Sequence, residues 1–251
     1  MRRTIFVASW KANATLESAK TFVQEFPPIA GSFMHEVILC PSNLHLGMVA
    51  AALPSTVKLG AQDVSQFGMG PHTGETAAAQ LAQFGVRYCI VGHAERRAMG
   101  ETDEQVNKKI KNLMANNIIP ILVIGENLAE YDNNQTRVVL ERQLKDALSG
   151  VKDVDKLIFC YQPAWSIGTG YYTSADYTNI IIDFMRKTLQ KLTGSPLSAN
   201  VPILYGGGVT TSNVKEYLEC AEVDGIMFGI NTTNARTLGD IVNTKFSIRP
   251  V

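Results

Sequence analysis

The stretch that decides the fold is residues 88–124, YCIVGHAERRAMGETDEQVNKKIKNLMANNIIPILVI. Two apolar runs, YCIV from Tyr88 and IPILVI from Ile119, flank the segment EQVNKKIKNLMANN, whose apolar residues recur three and four apart. The short runs predict strands and the periodic segment predicts a helix. A strand, a helix and a second strand in this order are typical of a crossover unit in a parallel sheet.

The same pattern repeats along the chain. Six further apolar runs predict strands: IFVA from Ile5, EVILC from Glu36, VKLGA from Val57, LIFCYQ from Leu157, PILYGG from Pro202 and GIMFG from Gly225. Helix-like segments such as TRVVLERQLKDALSG separate most of them, and the strands are apolar on both faces, as in a sheet that is covered on both sides. Eight such units predict one α/β domain over residues 1–251, a (β/α)₈ TIM barrel, with a doubly wound open sheet as the alternative.

Composition narrows the range of partners. The chain carries 23 basic and 23 acidic side chains, so its net charge gives no reason to expect nucleic acid or an anionic membrane as a partner. No apolar run is long enough to span a bilayer. The apolar run in MRRTIFVASWKAN is too short for a secretory signal, so we expect a first strand and a cytoplasmic protein. Four widely spaced cysteines predict buried free thiols.

Polar side chains follow the predicted strands at their carboxyl ends, where barrels of this kind carry their chemistry. They are Lys11, Gln62, His93, Glu95, Glu126 and Gln162. Lys11 is either a fixed cation for an anionic ligand or a solvated surface lysine. His93 begins a predicted helix, whose positive end disfavours a charged ring. The neutral imidazole then either donates a hydrogen bond to a carbonyl oxygen or only caps the helix.

Gln162 is the unusual member of this set. It stands in FCYQPAWSIGTG, residues 159–170, where a strand ends and a glycine-rich loop begins. Many enzymes place a reacting side chain at such a point, but a neutral amide neither gives nor takes a proton near neutral pH. The residue therefore raises the question of whether the site is catalytic.

Glycines after three strands indicate an anion site. Gly206, Gly207 and Gly208 follow the seventh strand, Gly229 follows the eighth, and Gly168 lies in the sixth loop. Each can serve a tight turn, but together they let backbone N–H groups approach a phosphate closely. The other histidines, at 35, 45 and 72, have no ligand-like spacing, so we predict neither a metal site nor a cofactor.

These motifs resemble the triosephosphate isomerase family over nearly the full length of the chain. SWKAN is similar to the family's N-W-K-M-N, VGHAERR to G-H-S-E-R-R, and YQPAWSIGTG to Y-E-P-V-W-A-I-G-T-G. GAQDVS with GPHTGE resembles the third loop, while ILYGGGV and VDGIMFG resemble I-L-Y-G-G-S-V and V-D-G-F-L-V-G. Six motifs in the family's order imply its barrel fold.

The resemblance implies roles for particular residues. The family interconverts dihydroxyacetone phosphate and glyceraldehyde 3-phosphate through an enediolate. Lys11 would hold the anionic substrate, His93 would polarise its carbonyl, and Glu95 would support Lys11. The phosphate would be held by backbone N–H groups at Gly168, Gly208, Gly229 and Ile230. Residues 163–170 would form a lid that excludes water. The family also implies a homodimer formed through the loop at 65–76.

The family's general base falls on Gln162, and neighbouring positions also depart from the family pattern. Ser9 replaces an asparagine that helps to seat the lysine and substrate, Ala94 and Gly208 replace serines, and Ile230 replaces a glycine of the phosphate loop. A β-branched residue resists positive φ and close anion approach. Because several site positions differ together, a divergent relative explains Gln162 better than an engineered inactive variant.

Three functions stay open at this point. The first is binding of a small phosphorylated aldose or ketose without conversion, which Gln162 favours. The second is an isomerase that is impaired toward triose phosphates or reshaped for another short phosphosugar, which requires a substitute base. Glu95 and Glu126 are the nearest strand-end carboxylates, and in the family both lie behind the substrate. The third function is a structural or interaction protein with a fossil pocket.

Overall fold

The computed structural model describes residues 4–196, 200–229 and 232–247, and within them eight parallel strands form a closed barrel. The strands run in chain order, and β1 pairs with β8 to close the sheet. This confirms the predicted barrel and excludes the open sheet. The strands are β1 Ile5–Ser9, β2 Glu36–Cys40, β3 Val57–Ala61, β4 Tyr88–Val91, β5 Ile119–Ile124, β6 Ile158–Tyr161, β7 Ile203–Tyr205 and β8 Gly225–Phe228.

Helices connect the strands and cover the outside of the barrel. They are α1 Leu16–Ala30, α2 Leu46–Ala52, α3 Ala78–Gln83, α4 Ala94–Ala98, α5 Asp103–Ala115, α6 Leu128–Asp132, α7 Thr136–Ala147, α8 Ala175–Thr193, α9 Val214–Leu218 and α10 Ala235–Val242. Short 3₁₀ helices lie at Asn43–His45, Val154–Lys156 and Ala164–Ser166. Local sequence sets the helix ends: Thr102 and Gln105 form a capping box at α5, and Gly194 ends α8 with φ of 63°.

Two apolar layers explain why the strands are apolar on both faces. Alternate strand residues such as Val7, Ile38 and Val123 fill the barrel interior. The residues between them, such as Phe6 and Leu39, pack outward against the helices. Burial on both faces favours continuous apolar runs over alternation. All four cysteines are free and buried, as predicted.

The sixth and seventh strands are shorter than the sequence pattern predicts, and this places the candidate residues. The sequence predicts a sixth strand at 157–162 and a seventh at 202–207, whereas β6 ends at Tyr161 and β7 at Tyr205. Gln162 and Gly206 therefore begin the loops at the carboxyl mouth of the barrel. They remain tied to the sheet, because Gln162 donates its N–H to the Ile124 carbonyl at 2.8 Å. The predicted loop at 194–200 falls partly outside the described residues.

Candidate functional site

The carboxyl ends of the strands surround a cavity of about 400 Å³, which we call the mouth cavity. It gathers predicted site residues from the first, fourth, sixth, seventh and eighth strand ends: Ser9, Lys11, His93, Gln162, Gly168, Gly208 and Gly229. Glu95 lies beside it and contacts Lys11. Ile230, also predicted at this site, lies outside the described residues. Asn13, Val209, Phe228 and Thr233 line the cavity as well, and no signal in the sequence singled them out.

Lys11 is held in a strained backbone conformation at the cavity wall. Its φ is 50°, a left-handed value that is costly for a residue with a side chain. Its N–H donates to Ser9 Oγ at 3.4 Å, its carbonyl accepts from Gln62 Nε2 at 3.0 Å, and its Nζ donates to Glu95 Oε1 at 2.5 Å. A Cβ at Gly229 would lie 2.8 Å from Lys11 Cε. The glycine therefore makes room for the lysine stem.

His93 caps the start of α4, as the sequence predicts. Its Nδ1 lies 3.2 Å from the backbone nitrogen of Glu95, and the side chain is buried. Burial lowers the pKa of His93 to about 4, with Glu95 opposing this shift and Lys11 adding to it. The ring is therefore neutral at physiological pH. The main cause is desolvation, whereas the sequence pointed to the helix end.

Both polar atoms of the Gln162 side chain contact polar groups of the protein. Its Oε1 accepts from the Ala94 N–H at 3.0 Å, and its Nε2 donates to the Gly206 carbonyl at 3.2 Å. The same Nε2 lies 3.0 Å from His93 Nε2. Only 2% of the residue is exposed. The amide touches the cavity but is bound into its wall.

Glu126 is buried behind the cavity and does not line it. Its Oε1 accepts from Tyr161 Oη at 3.1 Å and from Trp165 Nε1 at 3.0 Å, whereas Oε2 has no hydrogen-bond partner among the described residues. Burial raises the pKa of this carboxyl, and the hydrogen bonds from Trp165 and Tyr161 oppose the shift. Because Trp165 belongs to the sixth loop, this carboxylate anchors the loop to β5.

The glycine loops meet over the cavity. Gly168 has φ of 74°, and Gly208 packs against the end of the sixth loop, where a Cβ would lie 2.9 Å from the Tyr171 carbonyl oxygen. That Cβ would also lie 3.3 Å from Tyr172 Cβ. A serine at position 208, as in the family motif, would collide with this segment. The sequence shows that glycine replaces serine at position 208. The close contact with the Tyr171 backbone, which favours glycine there, is visible only in the structure.

The electrostatic character of the mouth cavity comes from one cation. Lys11 is the sole lysine or arginine that lines it within the described ranges. Over the same residues, no group of three His, Cys, Asp or Glu side chains is arranged to hold a metal ion. None of the described helices is both long and apolar enough to cross a membrane. A small anion is the ligand class that this wall of glycines and one lysine suits.

The fold and the position of this cavity define a (β/α)₈-barrel protein with its candidate site at the carboxyl mouth. Residues 4–245 match the family model for triosephosphate isomerase. A triosephosphate isomerase of Clostridium botulinum (strain Okra / Type B1) is 36% identical over 97% of this chain and 100% of its own length. That of Moorella thermoacetica is 37% identical over 97% of this chain and 99% of its own. The chain belongs to the triosephosphate isomerase family.

The buried neutral His93 makes stability depend on pH. The unfolded chain binds a proton at this residue below about pH 6.5, whereas the folded protein resists it until about pH 4. The unfolded state therefore binds more protons in this window, and the free energy of unfolding falls as pH falls through it. We expect the unmodified protein to lose on the order of 2–3 kcal/mol more than His93→Asn between pH 6.5 and pH 4. Denaturant unfolding of both proteins measures this, and parallel pH profiles would contradict it.

Proposed function

We propose that this chain binds a small phosphorylated aldose or ketose in the mouth cavity and converts it weakly or not at all. The observation that carries the proposal is Gln162 at the position that the family pattern gives to its general base. An amide has no basic site comparable to a carboxylate, and a positioned base typically contributes about 10²–10⁴-fold in rate. The chain thus combines the family's ligand cavity with a missing proton acceptor.

The binding half of the proposal rests on Lys11 and the glycine loops. Lys11 lies with its ammonium group paired to Glu95, which fixes a cation at the cavity edge. Backbone N–H groups at Gly168, Gly208, Gly229 and Ile230 would hold the phosphate. Backbone N–H groups can bind an anion even where the residue has no positively charged side chain. His93 lines the same cavity, beside the space that the ligand would occupy.

Of the carboxylates that the described residues place near the mouth cavity, neither Glu95 nor Glu126 is positioned to act as the base. Glu95 lies 2.5 Å from Lys11 Nζ, so its charge already has a partner. Glu126 is fully buried under Tyr161 and Trp165, and it does not reach the ligand space. A general base must lie within hydrogen-bonding distance of the proton that it removes. We therefore infer that proton abstraction is the step this protein lacks.

Calorimetric titration with 2-phosphoglycolate, combined with a triose-phosphate turnover assay, tests the proposal. We expect saturable binding with negligible turnover. Lys11→Met should weaken binding roughly tenfold to a hundredfold, because a hydrogen bond to a charged group contributes about 1.5–3 kcal/mol. Lys20→Met, which removes an exposed lysine paired with Glu17, is the control and should not change affinity. Efficient turnover would support an active isomerase instead. If the protein showed no binding and no turnover, that result would support an interaction protein.

A second prediction concerns restoring the base. Gln162→Glu should raise glyceraldehyde 3-phosphate isomerisation by up to about 10²–10⁴-fold. The rescue should be partial, because binding energy at the phosphate end helps to orient the reacting carbon, and Ile230 weakens that end. Ser9 should also hold Lys11 less firmly than an asparagine would. Adding Ser9→Asn and Ile230→Gly should therefore increase the rate by more than the separate effects combined.

Gln143→Glu is the matched control for this rescue. Gln143 is a buried glutamine whose side chain hydrogen bonds the Gly125 backbone and not His93, so this change should restore no activity. If Gln162→Glu alone reached the rate of an efficient enzyme, the other departures would be incidental. That result would favour an engineered variant over a divergent relative.

We also propose that the chain forms a homodimer through the loop at 65–76. The loop is closed by the Ser65 N–H, which donates to the Thr76 carbonyl at 2.9 Å, and it presents Phe67 and Met69 to solvent. Projecting apolar side chains of this kind favour a partner surface. Light scattering at micromolar concentration should give a dimer, and Phe67→Ser with Met69→Ser should give a monomer. Met34→Ser, at an exposed methionine elsewhere, should leave the dimer intact.

A further inference from the structure

The orientation of the Gln162 side-chain amide is fixed by two backbone groups. The Ala94 N–H can only donate, so the atom 3.0 Å from it must be the amide oxygen. The Gly206 carbonyl can only accept, so the atom 3.2 Å from it must be the amide nitrogen. Rotating the amide by half a turn would oppose donor to donor and acceptor to acceptor. Gln162 therefore points its NH₂ group at His93.

This orientation constrains the proton on His93. The amide nitrogen lies 3.0 Å from His93 Nε2, and an amide NH₂ can only donate. A neutral imidazole carries one proton, on either Nδ1 or Nε2. A proton on Nε2 would place two donors against each other in a buried contact. The Gln162 contact therefore requires a bare Nε2 and a proton on Nδ1.

A second contact requires the opposite arrangement. The Glu95 N–H lies 3.2 Å from His93 Nδ1, and it would prefer Nδ1 without a proton. The contact between this N–H and Nδ1 is only partly buried, so water can accept the Glu95 N–H when Nδ1 does not. Its carboxylate Oε2, at 3.7 Å from Nδ1, also attracts a proton there. The contact between Gln162 and His93 is buried, so water replaces it less readily than it replaces the Glu95 contact. The buried contact prevails.

We propose that Gln162 is a positioning residue that holds neutral His93 with its proton on Nδ1, so that the ring presents no N–H to the mouth cavity. Polarising a ligand carbonyl requires a hydrogen-bond donor, and a bare Nε2 bound to Gln162 is not one. The meaning of this arrangement for a ligand rests on the proposed function. The position of the proton is a property of the ligand-free protein. The one substitution then removes both the proton acceptor and the carbonyl-polarising group.

Two changes at position 162 should move the proton. In Gln162→Leu the new side chain has a similar volume but no polar atoms. The Glu95 N–H would then be the remaining donor to the ring, and it would favour a bare Nδ1 and a proton on Nε2. Gln162→Glu provides only acceptors, so it should also favour a proton on Nε2. Gln162→Glu would then provide the hydrogen-bond donor on His93 Nε2 together with the general base.

Nitrogen NMR of protein labelled with ¹⁵N-histidine tests the proposal directly, because the chain has only four histidines. His93→Asn assigns the His93 signals by their loss. At pH 7 the unmodified protein should show Nδ1 shifted as a protonated nitrogen and Nε2 as an unprotonated one. In Gln162→Leu and Gln162→Glu the two shifts should exchange. Gln143→Leu should leave them unchanged.

A protonated Nε2 in the unmodified protein would overturn the proposal, even if neither variant folded. An unchanged pattern in both folded variants would show that Gln162 does not set the proton position, and would overturn it too. The proposed function fails separately. A correct proton position without 2-phosphoglycolate binding would contradict only the binding proposal. Binding without turnover, together with a protonated Nε2, would contradict only this one.

Discussion

Closure of the sheet is the constraint on which the rest of the molecule depends. The first and last strands pair through Ile5 and Gly225, and a Cβ at Gly225 would lie 1.9 Å from the Ile5 carbonyl oxygen. Closure brings Lys11, after β1, against Gly229, after β8. In an open sheet these residues would lie at opposite edges. The mouth cavity thus depends on a backbone contact at the other end of the same two strands.

Within this mouth, Gln162 is matched to its surroundings. A backbone N–H, a backbone carbonyl and an imidazole nitrogen together use the amide's oxygen and both of its hydrogens. A carboxylate in the same rotamer would place an oxygen against the Gly206 carbonyl, and it would bury a charge that only the neighbouring donors could offset. The amide therefore stabilises the closed wall of the cavity, but it has no basic site. At functional sites, a residue that increases stability often lowers activity.

The sequence predicted much of this arrangement, because its strongest signals are local. Apolar runs and the helix period identified the strands, and parallel strands bring their carboxyl ends together whatever the details of packing. Lys11, His93 and Gln162 therefore had to share one mouth. The partners of Gln162 were not predictable, since Ala94 and Gly206 lie 68 and 44 residues away in the chain. The same holds for the contact between Gly208 and the Tyr171 backbone.

The cause of His93 neutrality also escaped the sequence. The helix start was visible in the pattern, but the burial that dominates the shift in its pKa depends on the packing of loops distant in the chain. The local sequence pattern thus identified which side chains lie together at the mouth of the barrel. Their hydrogen-bond partners and their solvation required the three-dimensional structure.

We propose that this barrel removes a proton from a bound phosphosugar weakly or not at all. Solvent deuterium exchange tests it most directly, because exchange detects proton removal even when isomerisation is never completed. Dihydroxyacetone phosphate would be incubated in D₂O with a stoichiometric amount of the unmodified protein and followed by proton NMR at the carbon that carries the hydroxyl group. We expect little or no more deuterium at that carbon than in buffer alone. Rapid protein-dependent incorporation that 2-phosphoglycolate suppresses would contradict the proposal.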